Sequence, residues 1–424
     1  MTSSTERYRP RLVDRRLEDV LRICGAVNLK GPRWCGKTWS ARNLCNSAVC
    51  LDGPGGDDRN RSLALMDPSL VLEGDSPRLI DEWQEVPSIW DAVRQRVDDD
   101  VRKGLFILAG SSVPDRGDFI HSGVGRMMDI RMDTMTLSER GLSDGKVSLR
   151  GLFDLPDISV RTGGPDYRDL VDMTVHGGWP AALSLDADGS MELAGRYLEE
   201  LVSDHIHLDG TVRNGVKMRR LMHSLALSES RVVSKKALYR IASEGGTMAY
   251  NTFDGYLDVL VRSYIVEWQP AFDPGMRPYV RVGKMPKLHL SDPSLAAVVL
   301  GTDLRSYYRD SVSFGPLFES LCEHDLRIYA DTFGGRLYHY RDGDGKEIDA
   351  IVELPDGRWG AFEIKLGANE IERGAKSLLD IDRKIRNQEN GRPPEFLCVI
   401  CGLTDYAYRR PDGVYVVPIT SLRE

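Results

Sequence analysis

The hydrophobic pattern changes period several times along the chain. Up to about residue 145, short apolar runs alternate with amphipathic stretches: "LEDVLRICG", the run "AVNLK", a glycine-bracketed turn with a helical segment after it, the run "PRLID", the amphipathic "SIWDAVRQRVDDD", then "GLFILAG". Short strands alternating with helices predict a parallel sheet covered on both faces. From 146 to 205 the pattern is helical, in "DYRDLVDMTVHGGWPAAL" and "MELAGRYLEELVSDHI", and is broken at Gly177-Gly178 and Pro180. Three helical patterns follow from about 213 to 270, ending in "NTFDGYLDVLVRSYIV". They lead into "EWQPAFDPGMRPYVRVGKMPKLHL", two strand-like flanks about a turn at Asp273–Gly275. Helices followed by a hairpin are the layout of a winged helix.

From residue 314 the order is helix "FGPLFESLCEHDL", strands "RLYHYRD" and "EIDAIVEL", turn "PDG", strand "RWGAFEIK", helix "NEIERGAKSLLDIDRKIRN", and strands "FLCVIC" and "GVYVVPI". The expected class is thus α/β: a parallel sheet covered on both faces, then a helical segment, a winged helix and a smaller mixed αβ domain. The expected boundaries are a tail at 1–20 and units at 21–145, 146–205, 206–300 and 301–424.

Composition narrows the setting. The 424 residues allow two to four domains, and 41% apolar with 28% charged residues is an ordinary globular balance. A net charge of -8 gives no global basic footprint, so any nucleic-acid surface must be local. No apolar run reaches bilayer length, so no membrane association is expected. The Arg-rich start "MTSSTERYRPRLVDRR" lacks the apolar core of a secretory signal and reads as a surface tail. Seven cysteines, an odd number, point to reduced thiols and a cytoplasmic location. "CVIC" reads as part of a buried strand, and "CEHD" at Cys322–Asp325 as helix surface rather than a metal site.

The strongest chemistry lies in "GPRWCGKT", a full GxxxxGK[ST] match between a strand and a helix. Gly31 and Gly36 let the backbone curl so that successive N–H groups face phosphate oxygens, and the helix start adds its positive end. The expected ATP-binding set is Gly31, Pro32, Arg33, Trp34, Cys35, Gly36, Lys37, Thr38 and the next position, Trp39. Lys37 would reach the outer phosphates, and Thr38 with Asp81 of "RLIDE" would hold Mg²⁺. Glu82 would polarise the attacking water. Ser111, ahead of Ser112, ends the strand "GLFILAGSS" where a γ-phosphate could be sensed; helix or turn capping is the plain alternative. Arg126 in "GVGRM" could supply a guanidinium to the transition state, within its own chain or in a neighbour.

The runs "VDRRLEDVLRICGAVNLKGPRWCGKT", "LIDEWQEVP", "FILAGSS" and "GRM…TMTLSER" resemble a group of prokaryotic AAA-superfamily ATPases that carry a C-terminal domain of unknown function. "GGWP" at Gly177–Pro180 and "EIDAIVE…FEIK" look like later landmarks of that group. Cys35 departs from the loop pattern, which could tune nucleotide affinity or add redox sensitivity. "HSGVG" before Arg126 is looser than the pattern as well.

Within "EIDAIVELPDGRWGAFEIK", Glu363 and Lys365 are two apart and share a strand face, and Asp349 can come alongside across the ladder. Two carboxylates and a lysine so spaced resemble the site of restriction-endonuclease-like folds, so the expected order becomes a P-loop NTPase core at 21–145, a helical lid at 146–205, a winged-helix-like domain at 206–300 and a mixed αβ nuclease-like domain at 301–424. The resemblance implies Mg²⁺ on Asp349 and Glu363, Lys365 orienting or deprotonating a water, and Glu319 of the preceding helix joining the metal site. The alternation could equally be that of any half-exposed strand.

Basic residues gather in the middle: Arg213, Lys217, Arg219 and Arg220, then Arg231, Lys235, Lys236 and Arg240. This is where DNA phosphates would be met, with Arg213, Lys217, Arg219, Arg220, Lys235 and Lys236 as candidates. Winged helices also dock proteins. Together these features predict a Mg²⁺-dependent ATPase that couples nucleotide hydrolysis to binding, remodelling or cleaving DNA, as a homo-oligomer if Arg126 acts in trans. One alternative is an ATP-driven regulatory switch acting on a protein partner, with a silent nuclease-like domain. Another is a protein-remodelling ATPase.

Overall fold

The computed structural model describes residues 8–52, 57–111, 125–205, 214–275 and 284–424. The chain forms two compact units, one running to Thr134 with Arg262–Ile265, the other holding Met135–Val261 and Val266–Glu424. Among the described residues, no helix is long and apolar enough to cross a membrane.

The first unit is built from α1 (Leu12–Ile23), β1 (Ala26–Lys30), α2 (Lys37–Leu44), β2 (Ser47–Cys50), α3 (Asp57–Met66), β3 (Arg78–Asp81), α4 (Ser88–Asp99), β4 (Phe106–Gly110) and β5 (Met127–Arg131). Its sheet has the order β2-β3-β4-β1-β5, with every pairing parallel. Successive residues of β4 point to opposite faces. Phe106 and Leu108 join Trp83, Ile89 and Val93 on one side, while Ile107 and Ala109 join Leu17, Val27 and Ala41 on the other. Both faces are therefore apolar, as the sequence pattern predicted. Because the strands are parallel, the segments after β1, β3 and β4 emerge at one edge, where open α/β sheets present ligand-binding loops.

The expected 1–20 tail is corrected: α1 starts at Leu12, and the residues before it are tied to the phosphate loop. The Arg11 guanidinium is buried and donates to the Cys35 and Asp133 carbonyls at 2.7 and 2.8 Å. The Tyr8 hydroxyl lies 2.9 Å from the Ser40 hydroxyl. Edge strands β2 and β5 escaped the sequence reading because they are short and half-exposed, without a continuous apolar run.

The second unit opens with α5 (Leu137–Arg140), β6 (Val147–Ser148) and β7 (Ser159–Arg161). The lid helices follow as α6 (Tyr167–His176) and α7 (Ala187–His205). Next come α8 (Gly215–Ala226), β8 (Arg231–Val232), α9 (Lys235–Ser243), α10 (Tyr250–Arg262), β9 (Val266–Gln269) and β10 (Lys287–Leu290). Three helices with an antiparallel β8-β10-β9 sheet match the predicted winged helix. Then α11 (Pro293–Val299), α12 (Leu304–Arg309) and the long α13 (Ser311–Thr332) lead to β11 (Arg336–Arg341), β12 (Glu347–Glu353), β13 (Trp359–Gly367), α14 (Ile371–Arg386), β14 (Phe396–Leu403), β15 (Tyr406–Arg409), β16 (Tyr415–Pro418) and β17 (Leu422–Arg423).

The large sheet has the order β11-β12-β13-β14-β16-β15-β7, and β6 pairs with β17. The segment 146–205 thus lends β7 to the large sheet and β6 to a separate two-stranded sheet with β17, as well as supplying the helices of the expected lid. The winged helix is joined to the same body. Phe272 N–H donates to the His339 carbonyl, and the Phe272 ring packs on Trp359 with centroids 4.8 Å apart. The segments expected as lid, winged helix and nuclease-like domain therefore belong to one compact unit.

"GGWP" is a clasp within this unit. Gly178 exchanges backbone contacts with Met135, whose N–H donates to the Gly178 carbonyl at 2.7 Å, while Gly178 N–H donates to buried Asp292. A Cβ on Gly178 would stand 2.2 Å from the Met135 carbonyl oxygen, so no larger residue fits. Trp179 Nε1 donates to Ser294 at 3.0 Å.

Candidate functional site

The turn after β1 has the form its sequence requires. A Cβ on Gly31 would fall 1.9 Å from the Met132 carbonyl oxygen. Gly36 caps α2 in the left-handed region, φ 107°, which a side chain would strain. The N–H groups of Lys37, Thr38 and Trp39 open the helix and have no helical carbonyl to bond, leaving them for an anion. Trp34 stands at φ 64°, a costly conformation for a non-glycine residue. The Lys37 ammonium is buried and donates to the Gly31 and Pro32 carbonyls at 2.9 and 2.8 Å. Cys35 is fully buried, its Sγ 3.5 Å from the Met132 carbonyl oxygen, and burial pushes its thiol up. That corrects the redox expectation, since a buried thiol kept protonated does not react. The residue packs the loop against its support.

Thr38 and Asp81 meet: the hydroxyl donates to the Asp81 carboxylate at 3.0 Å. Burial, then the Glu82 charge, holds the Asp81 carboxyl above its ordinary value despite the Thr38 bond. A cation beside it would relieve both, so the residues present fit Mg²⁺. Glu82 follows in the left-handed region, φ 52°, which is strained for a glutamate. This aims its carboxylate at Gln84, 2.5 Å away, and at the Ser111 hydroxyl, 3.5 Å away. Loop, acidic pair and Ser111 thus gather at one edge of the sheet. Ser112 lies outside the described residues.

Arg126 is not part of that gathering. It precedes β5, and its carbonyl accepts from Ala26 N–H at the start of β1, the end away from the loop. The four residue steps of β1 put about 13 Å between the two edges. Its guanidinium pairs with Asp98 at 2.6 Å. The arginine-finger expectation is corrected for action within its own chain.

The second site forms where β12 and β13 part. Their ladder ends at Ala350–Phe362, and the next residues, Asp349 and Glu363, stand just beyond it. The Asp349 carboxylate takes the Ile364 N–H that the ladder no longer uses, at 2.8 Å. Lys365 Nζ lies 2.8 Å from Glu363 and 3.7 Å from Asp349. The predicted trio therefore converges.

Burial works to lower the Lys365 pKa, but Asp349 and Glu363 outweigh it and hold it above the ordinary lysine value. A lysine paired with two carboxylates is placed to orient a water or a phosphate. Burial, then Asp349, raises the Glu363 carboxyl, and its buried Oε2 has no partner among the described residues. That orphaned oxygen is an observation that fits a cation. Among the described residues no group of three or more His, Cys, Asp or Glu side chains is arranged to hold a metal alone. Asp349 and Glu363 would have to share one with water and backbone oxygens, as Mg²⁺ permits. A cleft of about 780 Å³ opens on this site, with Glu319, Lys365, Arg309, Arg373 and Tyr308 along its wall.

Sequence reasoning missed Lys287 and Glu323. Lys287 on β10 is buried, and its ammonium bonds Glu319, Glu323 at 2.6 Å and the Asp349 carbonyl at 3.3 Å. "CEHD" is corrected as well: Cys322, Glu323, His324 and Asp325 are all buried, and Asp325 accepts the Leu137 N–H at 2.9 Å. Only a count of buried charges could have found them. The "CVIC" thiols of Cys398 and Cys401 are buried in β14, as expected, and burial pushes both up.

The basic candidates scatter. Arg213 lies outside the described residues. Lys217 is on the first turn of α8. Arg219 pairs with Glu199 at 3.0 Å, and Arg220 donates to the Gly245 carbonyl. Lys235 pairs with Asp254 at 2.7 Å, while Lys236 is exposed beside it. The exposed positions of α10, at the recognition-helix place, are Tyr250, Asn251, Gly255 and Asp258.

Comparison with known proteins agrees with the first site. Residues 25–140 match the AAA domain family, residues 167–306 a domain of unknown function (DUF8612) and residues 314–422 another (DUF4143). The sheet, the loop and this match define an AAA-type P-loop ATPase domain at the front of the chain. Two curated relatives, uncharacterized proteins Rv2008c of Mycobacterium tuberculosis and Mb2031c of Mycobacterium bovis, are each 27% identical over 393 residues. That spans 89% of this chain and 80% of theirs. Among solved structures, a Walker-type ATPase of Pyrococcus abyssi aligns at TM-score 0.42 and 13% identity, over 68% of this chain and 94% of that one. The Orc1 protein of Aeropyrum pernix, solved in complex with DNA, aligns at 0.21 and 14%, over 70% and 93%.

Proposed function

We propose that the protein is a Mg²⁺-dependent ATPase whose nucleotide cycle controls how the nuclease-like domain engages DNA. The observation that carries the ATPase reading is the 3.0 Å contact of Thr38 with Asp81, with strained Glu82 adjoining and Ser111 within reach of it. Thr38 and Asp81 would hold Mg²⁺, which offsets phosphate charge when bound. The N–H groups of the loop and α2, with Lys37, bind and orient the phosphates. Glu82 orients a water for attack on the γ-phosphate and accepts its proton, and Ser111 positions Glu82.

DNA is the favoured substrate because the cleft is lined by Lys365, Arg309 and Arg373, cations suited to a phosphodiester backbone, and Lys365 joins it to the Asp349–Glu363 pair. The test is ATP hydrolysis by the full chain with and without duplex and single-stranded DNA, together with Mn²⁺-dependent nicking. DNA-stimulated turnover, and nicking lost in Lys365→Ala while ATPase activity persists, supports the reading. Indifference to every DNA refutes its DNA part.

A second reading, the switch acting on a protein partner, is favoured by one observation. The exposed face of α10 shows no basic side chain, while Lys235 beside it is neutralised by Asp254. That face suits a protein better than a DNA groove.

A further inference from the structure

The charges around the cleft do not balance. Glu319, Glu323, Asp349 and Glu363 surround two ammonium groups, Lys287 and Lys365. With all six ionised, two negative charges are left over. Each half holds two carboxylates and one ammonium, and the halves differ in what is left unpaired. Lys287 is buried and serves Glu319 and Glu323, whereas Glu363 keeps a buried oxygen with no partner among the described residues. The neighbouring Glu229 is satisfied separately by Leu290 N–H and the Ser320 hydroxyl.

Lys287 reaches this place because β10 is fixed on both sides. It pairs with β9 and β8, and beyond β9 the chain bridges to β11 at Ala271–His339. Its ammonium touches the carbonyl of Asp349, the residue whose side chain faces the other half of the site.

We propose that Lys287 is a built-in cation: it fills the Glu319–Glu323 half of the cluster and leaves Asp349 and Glu363 to seat a single divalent ion. This rests on the metal reading of the nuclease-like site and makes it specific. Glu319 is then a partner of Lys287 rather than a metal ligand, and a two-metal arrangement is excluded. One divalent ion also cancels the two uncompensated charges.

The test counts Mn²⁺ ions by electron paramagnetic resonance. It uses full-length protein without nucleotide, carrying Asp81→Asn to silence the ATPase core. The parent should bind one ion, lost in Asp349→Asn. Lys287→Met should bind two, and adding Glu319→Gln should return the count to one. Because Lys287→Met leaves Glu323 buried without its cation, Lys287→Met with Glu323→Gln serves as the better-folding version, with the same expected gain. Two ions in the parent, or no gain on removing Lys287, overturns the proposal. A parent that binds none refutes the metal reading instead. Lys287 is then judged by its own variant: a Glu319-dependent ion gained there supports it, and none gained overturns it.

Discussion

Replacing Arg11 with Met tests whether the segment before the sheet organises the phosphate loop. Arg11 donates to the Cys35 carbonyl inside the loop and to the Asp133 carbonyl beyond β5. Hydrogen bonds from a charged donor contribute roughly 1.5–3 kcal/mol each. Met keeps the unbranched apolar stem but ends short of the guanidinium, leaving both carbonyls without this donor. Relief of burying a guanidinium returns part of the loss. The net cost is about 2–4 kcal/mol. Part of it falls on the ordering of the loop, which bound ATP must then supply. A share of about 1.4–2.7 kcal/mol corresponds to ATP affinity weakened about 10- to 100-fold. The assay is titration of a fluorescent ATP analogue into the full chain, with circular dichroism to show that it is folded. Arg11→Lys, a single donor head, should fall between. Arg11→Met binding within twofold of wild type would show that the loop holds its own shape and that the Arg11 bonds are incidental.

Other predictions follow from the same geometry. Glu82→Gln should bind ATP within a few-fold of wild type and lose roughly 10²–10⁴ in turnover, read by phosphate release; turnover at the wild-type rate removes Glu82 as the base. Arg126→Ala should leave turnover at low protein concentration within twofold, because its guanidinium sits with Asp98 at the far edge of the sheet. A large loss there would return Arg126 to catalysis within its own chain, whereas a loss confined to high protein concentration would mean that it works in a neighbouring chain. Gly178→Ala should cost about 3 kcal/mol or more in urea denaturation, since the added carbon meets an immovable Met135 carbonyl; a cost under about 1 kcal/mol would mean the clasp gives way.

The central strands of both sheets were legible because burial on both faces leaves a continuous apolar run, as in "GLFILAG" and "FLCVIC". Loop chemistry was legible for a related reason. Gly31 and Gly36 are set by the backbone, and the spacing to Lys37 and Thr38 follows from one helical turn, so the motif carries its own geometry. Strands β6, β7 and β17 were not legible. Each is two or three residues long, and β6 pairs with β17 across most of the chain. Local pattern holds no record of such a partner, which is why the lid segment was read as helices alone.

The charged residues show where pattern reading fails, and the failure is itself informative. A lysine or glutamate in a mixed stretch is normally a solvated face. Arg11, Lys287, Glu323 and Asp325 break that rule, and all of them are buried. Each is held by groups distant in sequence: Arg11 by carbonyls at 35 and 133, Lys287 by acids at 319 and 323, Asp325 by the amide of Leu137. Removing one side of such a contact strands the other, which makes these positions costly to vary whatever the protein's substrate. Asp349, Glu363 and Lys365 are different. Their alternation was visible in the sequence, yet the unpartnered Glu363 oxygen and the elevated Lys365 are properties of the assembled site. The sequence supplies the ligand types, while the excess negative charge that would attract a cation exists only once α13, β12 and β13 have gathered four carboxylates around Lys287 and Lys365.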